Sequence, residues 1–504
     1  MTTERVRPPA DPPAYRWRWP ALVALLLGEA MNLLDTTVVQ VAAPAAHADL
    51  GGSVSDIQWF GTAYTLPFAV LLITGGRLGD IAGRRRVFVL GVIVFAAASV
   101  ACALAPTAGL LIAFRAVQGA AAAVIIPQTI GLIKAMFSGD EMARALGSIG
   151  PVMGVAAVCG PVLGGVLTHA DLFGSSWRAA FLVNVPVSLV VLALSPRLPE
   201  NRAPCRPALD VPGTALAALG TGLVVYPLIG ADVLELRARS WVLVGSGFLL
   251  LTGFALHQRR VAALGGSPLL EPSLFAHRGF PAALVTSTAF FAVTNGLMTV
   301  VVLQLQLGVG TGVLAAGLSL SPWSVGLAVA SWPAAARLVR RFGRRVMPYG
   351  LGVLLTGLLA CAAVYHWADP VRYPRPLLPA LALVGLGAGL FTPAFFTLAL
   401  KPLRPQEIGS AAGLLNAVQQ LGATLGVAVL GSVYLNGART GHPQAAAGAA
   451  QAACWVAVGL VGVTWIASSR FAGRPQAGLT SSPLEAGGSD HDHADGSRRD
   501  QHAR

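Results

Sequence analysis

Long apolar stretches dominate the chain and constrain its fold more than any other feature. A helix needs about 20 consecutive, mostly apolar residues to cross the hydrocarbon core of a bilayer. Fourteen stretches of the 504-residue sequence meet this requirement, near residues 20–44, 57–76, 87–106, 109–137, 145–169, 177–195, 211–230, 240–257, 279–303, 311–335, 346–366, 377–400, 409–435 and 449–469. The sequence therefore predicts an all-α, polytopic membrane protein with fourteen transmembrane helices.

Composition and the distribution of basic residues support this interpretation. Charged residues make up only 11% of the chain, whereas soluble domains average about 25%. The net charge of +13 does not indicate nucleic-acid binding, because the basic residues form short clusters between the apolar stretches. Of the 35 Lys and Arg, 28 fall on the side of the N-terminus, 6 on the other side, and Arg115 within a span. The positive-inside rule then predicts a cytoplasmic-membrane protein with both termini in the cytoplasm.

Polar breaks divide the predicted helices into groups of six, two and six. The predicted organisation is a cytoplasmic N-terminal segment (1–19), a six-helix bundle (20–195), a linking region with two additional helices (196–278), a second six-helix bundle (279–469) and a disordered cytoplasmic tail (470–504). The first apolar stretch is too long and too acidic for a cleaved signal peptide, so we expect it to remain as the first span.

The sequence predicts neither a metal site nor a cofactor. The five cysteines (Cys102, Cys159, Cys205, Cys361 and Cys454) form no CxxC pair, and disulfide frameworks and zinc sites depend on such spacings. The tail "SDHDHADGSRRDQHAR" contains His and Asp, but disordered tails often have this composition. No GxxxxGK[ST] phosphate-binding loop is present, so we do not expect ATP to be used.

Six motifs occur in order along the chain: "LDTTVVQVAAP" (34–44), "GRLGDIAGRRRVF" (76–88), "LIAFRAVQGAAAA" (111–123), "GPVLGGVL" (160–167), "WRAAFLVNVPV" (177–187) and "GSAAGLLNAVQQLGATLGVAVLG" (409–431). Together they resemble the major facilitator superfamily and, within it, the fourteen-helix drug:proton antiporters. The resemblance covers about residues 20–470 and implies two six-helix bundles joined by two linking helices.

The loop after the second predicted span has a partial copy later in the chain. "GGRLGDIAGRRRVFVLG" and "AARLVRRFGRRVMPYG" share Arg-Leu and Gly-Arg-Arg, as expected for transporters built from internal repeats. Three positions depart from the family pattern. Gln40 stands where Asn is usual, Ile81 where a basic residue is usual, and Arg340 where the repeated loop would carry Asp.

Asp35 is an acid inside the first apolar stretch. A charge at the bilayer centre costs on the order of 2.5–3.5 kcal/mol by insertion scales, so it needs a polar cavity or a partner. Burial raises the pKa of a carboxyl group and a nearby cation lowers it, so a site that alternates between these conditions binds and releases a proton. With the family resemblance, this favours proton coupling by Asp35; the alternative is a structural hydrogen-bond anchor.

Arg115 is the predicted partner of Asp35. It lies about 9 Å from the outer end of helix four, and Asp35 lies about 12 Å from the outer end of helix one. Similar depths permit an ion pair if the helices touch. The alternative is an arginine that extends to the outer interface. Gln118 shares the face of Arg115 and is predicted to line the substrate cavity.

Glu29 lies six positions before Asp35, about 120° away around the helix. It falls near mid-membrane, where transporter sites lie. It is predicted to bind a cationic substrate or to carry a second proton; the alternative is a buried, protonated glutamic acid with a hydrogen-bonded neighbour. Asn32 and Asn295 are the remaining predicted residues of the substrate cavity.

A polar loop and a glycine-rich helix are predicted to act in gating. The loop contains Gly76, Asp80, Gly83, Arg84 and Arg85. We expect Asp80 to cap the third helix and to pair with Arg84. The resemblance implies that this loop closes the cytoplasmic side; the alternative is that its positive charge only sets topology.

The glycine-rich helix carries Gly160, Pro161, Gly164 and Gly165. The GxxxG spacing permits close helix approach, and proline favours a bend. The resemblance links this motif to antiport rather than uptake; generic helix packing is the alternative.

The resemblance as a whole implies a secondary exporter that exchanges hydrophobic, often cationic, drug-like molecules for protons by rocking of the two bundles. One alternative is a narrow exporter of a single metabolite or antibiotic; a remote one is a membrane receptor or enzyme. No nucleophile motif or sizeable soluble domain favours an enzyme. We expect a monomer that uses the proton gradient and contacts substrate, protons and lipid.

Overall fold

The computed structural model describes residues 15–171, 174–202, 208–229, 238–277, 279–331, 338, 341–369, 373–404, 407–439 and 442–472. Predictions that concern residues 1–14, the tail from 473, Arg340 or Cys205 lie outside these residues. Within the part of the chain that the structure describes, helices account for most residues and there is no strand.

Fourteen helices among the described residues are long and apolar enough to cross a membrane, as predicted. They are α1 (Arg18–Leu50), α2 (Asp56–Ala82), α3 (Arg84–Ala103), α4 (Ala108–Met136), α5 (Gly139–Ala170), α6 (Ser176–Arg197), α7 (Val211–Leu228), α8 (Ala238–Ala263), α9 (Phe280–Gly308), α10 (Val313–Ser331), α11 (Gly343–Trp367), α12 (Leu377–Leu400), α13 (Ile408–Gly437) and α14 (Pro443–Arg470).

Because each helix crosses once, the loops alternate between two sides. The loops after the even-numbered helices lie on the arginine-rich side, and those after the odd-numbered helices lie on the arginine-poor side. The last turns of α9, Gln304–Gly308, are π-helical. These two sides provide the frame for the site.

Contacts divide the helices into three groups. Helices α1–α6 pack against one another, as do α9–α14, while α7 and α8 form a pair beside α2. The first and second groups meet chiefly through α2 with α13 and α5 with α10, and more lightly through α1 with α9. This grouping agrees with the predicted six-two-six arrangement, although the predicted domain boundaries stay predictions.

Glycines set the closest helix approaches within each group. A Cβ atom at Gly119 of α4 would overlap the carbonyl oxygen of Tyr64 in α2, and one at Gly426 of α13 would overlap that of Ala292 in α9. Lipid provides no hydrophobic drive for helices to associate, so close contact between small residues contributes much of the packing. The approach of α4 to α2 positions the residues described next.

Candidate functional site

Asp35 of α1 lies at the centre of a buried hydrogen-bond network. Its Oδ2 atom forms an ion pair with Nη1 of Arg115 from α4 at 2.5 Å. Its Oδ1 atom accepts hydrogen bonds from the side-chain amides of Gln118 (2.8 Å) and Asn184 (2.7 Å). All four side chains are at most 1% exposed. Two helices, α4 and α6, thus supply three donors to one carboxylate of α1, out of contact with water.

Arg115 has further partners within the same network. Its Nε atom donates to the carbonyl oxygen of Phe60 at 2.9 Å, and its Nη1 atom donates to Oε1 of Gln118 at 2.8 Å. The guanidinium carbon lies 4.3 Å from the centre of the Tyr64 ring. The arginine is therefore held by α2 as well as by Asp35. Removing one partner of a buried ion pair costs about 3–5 kcal/mol, because the other charge is left uncompensated.

Both oxygens of Asp35 face donors, and this limits when a proton can bind. A protonated carboxyl group is itself a donor at one oxygen. A proton on Oδ2 would face Arg115, and a proton on Oδ1 would face two amide groups. Protonation of Asp35 therefore requires at least one of these donors to move or turn away.

The sequence predicted Asp35, Arg115 and Gln118 as neighbours but missed Asn184 and Ser99. Ser99 of α3 accepts a hydrogen bond from Nε2 of Gln118 at 2.8 Å. Asn184 had a readable signal, since it is an uncharged polar residue with a strong hydrogen-bonding requirement in the middle of an apolar stretch. A serine carries much less information, because its hydroxyl group can bond to the backbone of its own helix.

Glu29 and Asn32 lie outside this network. Both are nearly buried, at 9% and 8% exposure. The Glu29 side chain lies near Thr129 of α4, whose hydroxyl group has no hydrogen-bond partner among the described residues. The Nδ2 atom of Asn32 has no partner within the described residues. The two acids of α1 therefore have separate surroundings, as their angular separation predicted.

A small cavity lies between the two large helix groups. Its volume is about 60 Å³, and its lining comes mainly from α1, α2, α9 and α13. Arg115 and Asn295 line it, whereas Gln118 is fully buried beside Asp35. Ligand sites for drug-sized molecules have volumes of about 300–1,000 Å³. In this arrangement the path is therefore too narrow at this point to hold such a molecule.

Uncharged hydrogen bonds join the two groups around this cavity and towards its arginine-poor end. Nε2 of Gln40 donates to Oγ1 of Thr299 at 2.7 Å, and Nε2 of Gln306 donates to the carbonyl oxygen of Val41 at 2.8 Å. The hydroxyl groups of Thr65 and Thr424 lie 2.7 Å apart. We call these three pairs the cross-group contacts.

The predicted gate loop on the arginine-rich side is compact. Asp80 pairs with Arg84 at 2.5 Å, as predicted. The prediction that Asp80 caps α3 is wrong, because Gly83 precedes α3 and no side chain caps it. Asp80 instead lies in the last turn of α2, which continues to Ala82. Gly83 has a φ angle of 108°, a conformation that favours glycine.

Other members of this loop have different surroundings. The backbone N–H of Arg84 donates to the carbonyl oxygen of Asn201 at 2.9 Å, so the loop is tied to the segment after α6. A Cβ atom at Gly76 would contact Pro127 of α4 at 3.4 Å. Arg85 is partly exposed and has no ion pair among the described residues.

Arg77, which the sequence did not single out, connects the gate loop to the linking helices. Its guanidinium group donates to the carbonyl oxygens of Ala208, Ser267 and Pro268. These carbonyl groups belong to the segments that precede α7 and follow α8. Backbone carbonyl partners leave no signature in a sequence, which explains why this connection was missed.

The glycine-rich motif of α5 lies at two interfaces. Gly160 and Gly164 face Thr37 and Val38 of α1, whereas Gly165 faces the start of α10. A Cβ atom at Gly165 would lie 3.1 Å from the carbonyl oxygen of Val313. Pro161 lies within the helix. The motif therefore packs α5 against α1 of its own group and against α10 of the other.

Fold and site together define a polytopic membrane protein with a polar path between two groups of helices. Residues 25–427 match the family model described as Major Facilitator Superfamily. The chain belongs to this superfamily. Its relatives include proteins named as transporters.

Relatives among known proteins include exporters and resistance proteins. The chain is 44% identical over 426 residues to a probable actinorhodin transporter of Streptomyces coelicolor, covering 84% of this chain and 74% of that protein. It is 37% identical to puromycin resistance protein pur8 of Streptomyces alboniger, covering 82% of each.

Solved structures share the fold at low identity. One is a bacterial homologue of the human lysosomal transporter Spinster, in an inward-facing and unoccupied conformation. It has a TM-score of 0.64 and 19% identity, and the match covers 91% of this chain and 98% of that one.

Proposed function

We propose that the protein is a proton-coupled antiporter that exports hydrophobic, drug-like molecules across the cytoplasmic membrane. The observation that carries this proposal is that Asp35 cannot hold a proton while all three surrounding donors keep their hydrogen bonds to it. Relatives named as an antibiotic transporter and a resistance protein support export as the direction. The arginine-rich side is then the cytoplasmic side, which holds both termini.

The mechanism follows from the position of Arg115 between Asp35 and the cavity. With the cross-group contacts formed, the outer end is closed and Asp35 is ionised against Arg115. When the outer end opens, water reaches the side of Arg115 that faces the cavity. Water then hydrates the guanidinium group and replaces Asp35 as its partner. A proton then binds Asp35 from outside, and substrate leaves. Return to the closed arrangement re-forms the ion pair and releases the proton inside.

A narrower function is the second candidate. The protein would then export a single metabolite or antibiotic, and the relative at 44% identity, named for one compound, favours this version. In both versions the proton gradient is the energy source, and the unit of function is a monomer without a cofactor.

Transport into inverted membrane vesicles tests the proposal. A panel of antibiotics and lipophilic dyes is offered, and a proton gradient, acidic inside, is imposed. We expect wild-type vesicles to accumulate at least one compound, Asp35→Asn vesicles to accumulate none against its gradient, and Glu29→Gln to report any second proton. Accumulation by Asp35→Asn at the wild-type level would contradict the proposal.

A further inference from the structure

The lining of the path carries information about the charge of the exported molecule. We propose that the substrate is an oxygen-rich molecule without a fixed positive charge, and that permanent cations are poor substrates. This inference rests on the proposed export function and narrows it. It departs from the sequence expectation of often cationic substrates.

The first observation is the chemistry of the central cavity. Six uncharged hydrogen-bonding side chains line it: Thr36, Gln40, Gln58, Thr65, Asn295 and Thr299. Its one charged lining residue is Arg115, and its lining includes neither a carboxylate nor an aromatic ring. Proteins recognise organic cations with carboxylates or with the faces of aromatic rings. Amide and hydroxyl groups instead match the carbonyl and hydroxyl groups of an uncharged or acidic molecule.

The second observation is a larger space on the arginine-poor side, towards which α13 continues. Its volume is about 460 Å³, and its polar lining consists of Ser53, Ser55, Tyr434, Asn436 and Arg439. As in the central cavity, no carboxylate belongs to this lining. The neighbouring acid, Asp56, is not part of the lining, and its Oδ2 atom accepts a hydrogen bond from the backbone N–H of Ser53 at 2.9 Å. Neither lining contains a carboxylate, although the second includes the ring of Tyr434.

Glu29 is the group that would hold a cation if one were exported. It lies seven and eleven residues before Thr36 and Gln40, and hence on the same face of α1. It belongs to the lining of neither space. A cation released from Glu29 would still have to pass both spaces without a carboxylate among the lining residues. Glu29→Gln is therefore included in the test.

The test compares two dyes in the inverted-vesicle assay. Rhodamine 123 is a permanent cation, and the methyl ester of fluorescein has the same ring skeleton without fixed positive charge. Both are added to a panel of neutral, acidic and permanently cationic antibiotics. We expect proton-driven accumulation of neutral or acidic members, and accumulation of permanent cations at least about tenfold lower, which corresponds to about 1.4 kcal/mol in selectivity.

Three outcomes are distinguishable. Accumulation of permanent cations as strong as that of uncharged members overturns the inference and leaves the export function standing, and its loss in Glu29→Gln would identify the cation site. Accumulation of no compound overturns the export function, and the inference with it. Accumulation confined to neutral and acidic members supports both.

A second arm introduces a carboxylate into the cavity. Asn295→Asp should raise accumulation of rhodamine 123 by about tenfold relative to the ester, whereas Thr294→Asp, one position away and outside the lining, should not. An unchanged ratio in a stably folded Asn295→Asp protein overturns the inference. Should that variant fail to fold, the wild-type comparison decides alone.

Discussion

At the residue scale, the account depends on one carboxylate whose two oxygens are both occupied. Hydrogen bonds to charged groups contribute about 1.5–3 kcal/mol each, so each donor around Asp35 matters for the energy of the closed arrangement. Asn184 is the donor that α6 contributes. Asn184 thus connects the proton site to α6, whereas the motif around Arg115 lies on α4.

Asn184→Ala should lower proton-driven transport by about tenfold or more, because a charge-assisted hydrogen bond is lost. Transport into inverted vesicles measures the effect at matched protein levels. Ser188→Ala is the control, since Ser188 lies one turn further along α6 and contacts Met31 instead of Asp35. Equal transport by Asn184→Ala and wild type would show that Asp35 does not need this donor.

At the element scale, two features position the site: the contact of α4 with α2, and the attachment of α7 and α8. The first places Arg115 against Phe60 and Tyr64. The second relies on Arg77 and on Asp210, whose carboxylate accepts hydrogen bonds from His257, Gln258 and the backbone N–H of Gly213. Both features depend in part on backbone groups, which side-chain patterns do not reveal.

Gly119→Ala should destabilise the protein, because its Cβ atom would overlap the carbonyl oxygen of Tyr64. Overpacking of this kind typically costs about 1–3 kcal/mol. Gly109→Ala in the same helix is the matched control, since its Cβ atom would meet nothing within 4 Å. Thermal unfolding in detergent compares the two, and equal melting temperatures would contradict the close approach of α2 and α4.

Asp210 should make stability depend on pH. Burial raises its pKa, but hydrogen bonds from His257, Gln258 and Gly213 outweigh burial and leave the pKa below its usual value. A lowered folded-state pKa stabilises the fold fully above the unfolded-state pKa of about 3.9, and this stability is lost as pH falls through the folded-state value. The melting temperature of wild type should therefore exceed that of Asp210→Asn near neutral pH, with the gap closing below about pH 4. Exposed Asp140→Asn serves as the control, and a constant gap for Asp210→Asn would refute this role.

The helices were more predictable than their polar contacts. Fourteen apolar stretches predict fourteen spans because bilayer thickness fixes helix length. Asp35 and Arg115 could be paired because charges in lipid need partners and their depths agreed. The polar character of Asn184 within an apolar stretch was a usable signal, but a single amide does not reveal which residue it bonds to. Arg77 was missed because carbonyl acceptors exist at every residue. The capping role of Asp80 failed because α2 continues past it.

At the scale of the whole molecule, uncharged hydrogen bonds join the two large groups around the central cavity and towards the arginine-poor side. Each hydrogen bond contributes about 0.5–1.5 kcal/mol net. The summed free energy of the cross-group contacts is therefore large enough to favour the closed arrangement and small enough to allow opening. Salt would have little effect on such contacts, in contrast to exposed ion pairs.

Loss of two of these contacts should open the arginine-poor side. In Gln40→Ala/Gln306→Ala, spin labels at Val54 and His442 should show an increased population of long distances relative to wild type. Gln444→Ala, which changes an exposed glutamine on α14, should leave the distribution unchanged. A distribution in the double variant identical to wild type would mean that other contacts hold this side closed.

Proton exchange on substrate addition tests the central claim most directly. Purified protein in weak buffer with a pH indicator is mixed with a compound that the wild type transports. If Asp35 carries the proton, wild type exchanges protons with the solution on binding, and Asp35→Asn still binds the compound but exchanges none. Equal proton exchange by Asp35→Asn and wild type would contradict the account, and its loss in Glu29→Gln would assign the proton to Glu29 instead.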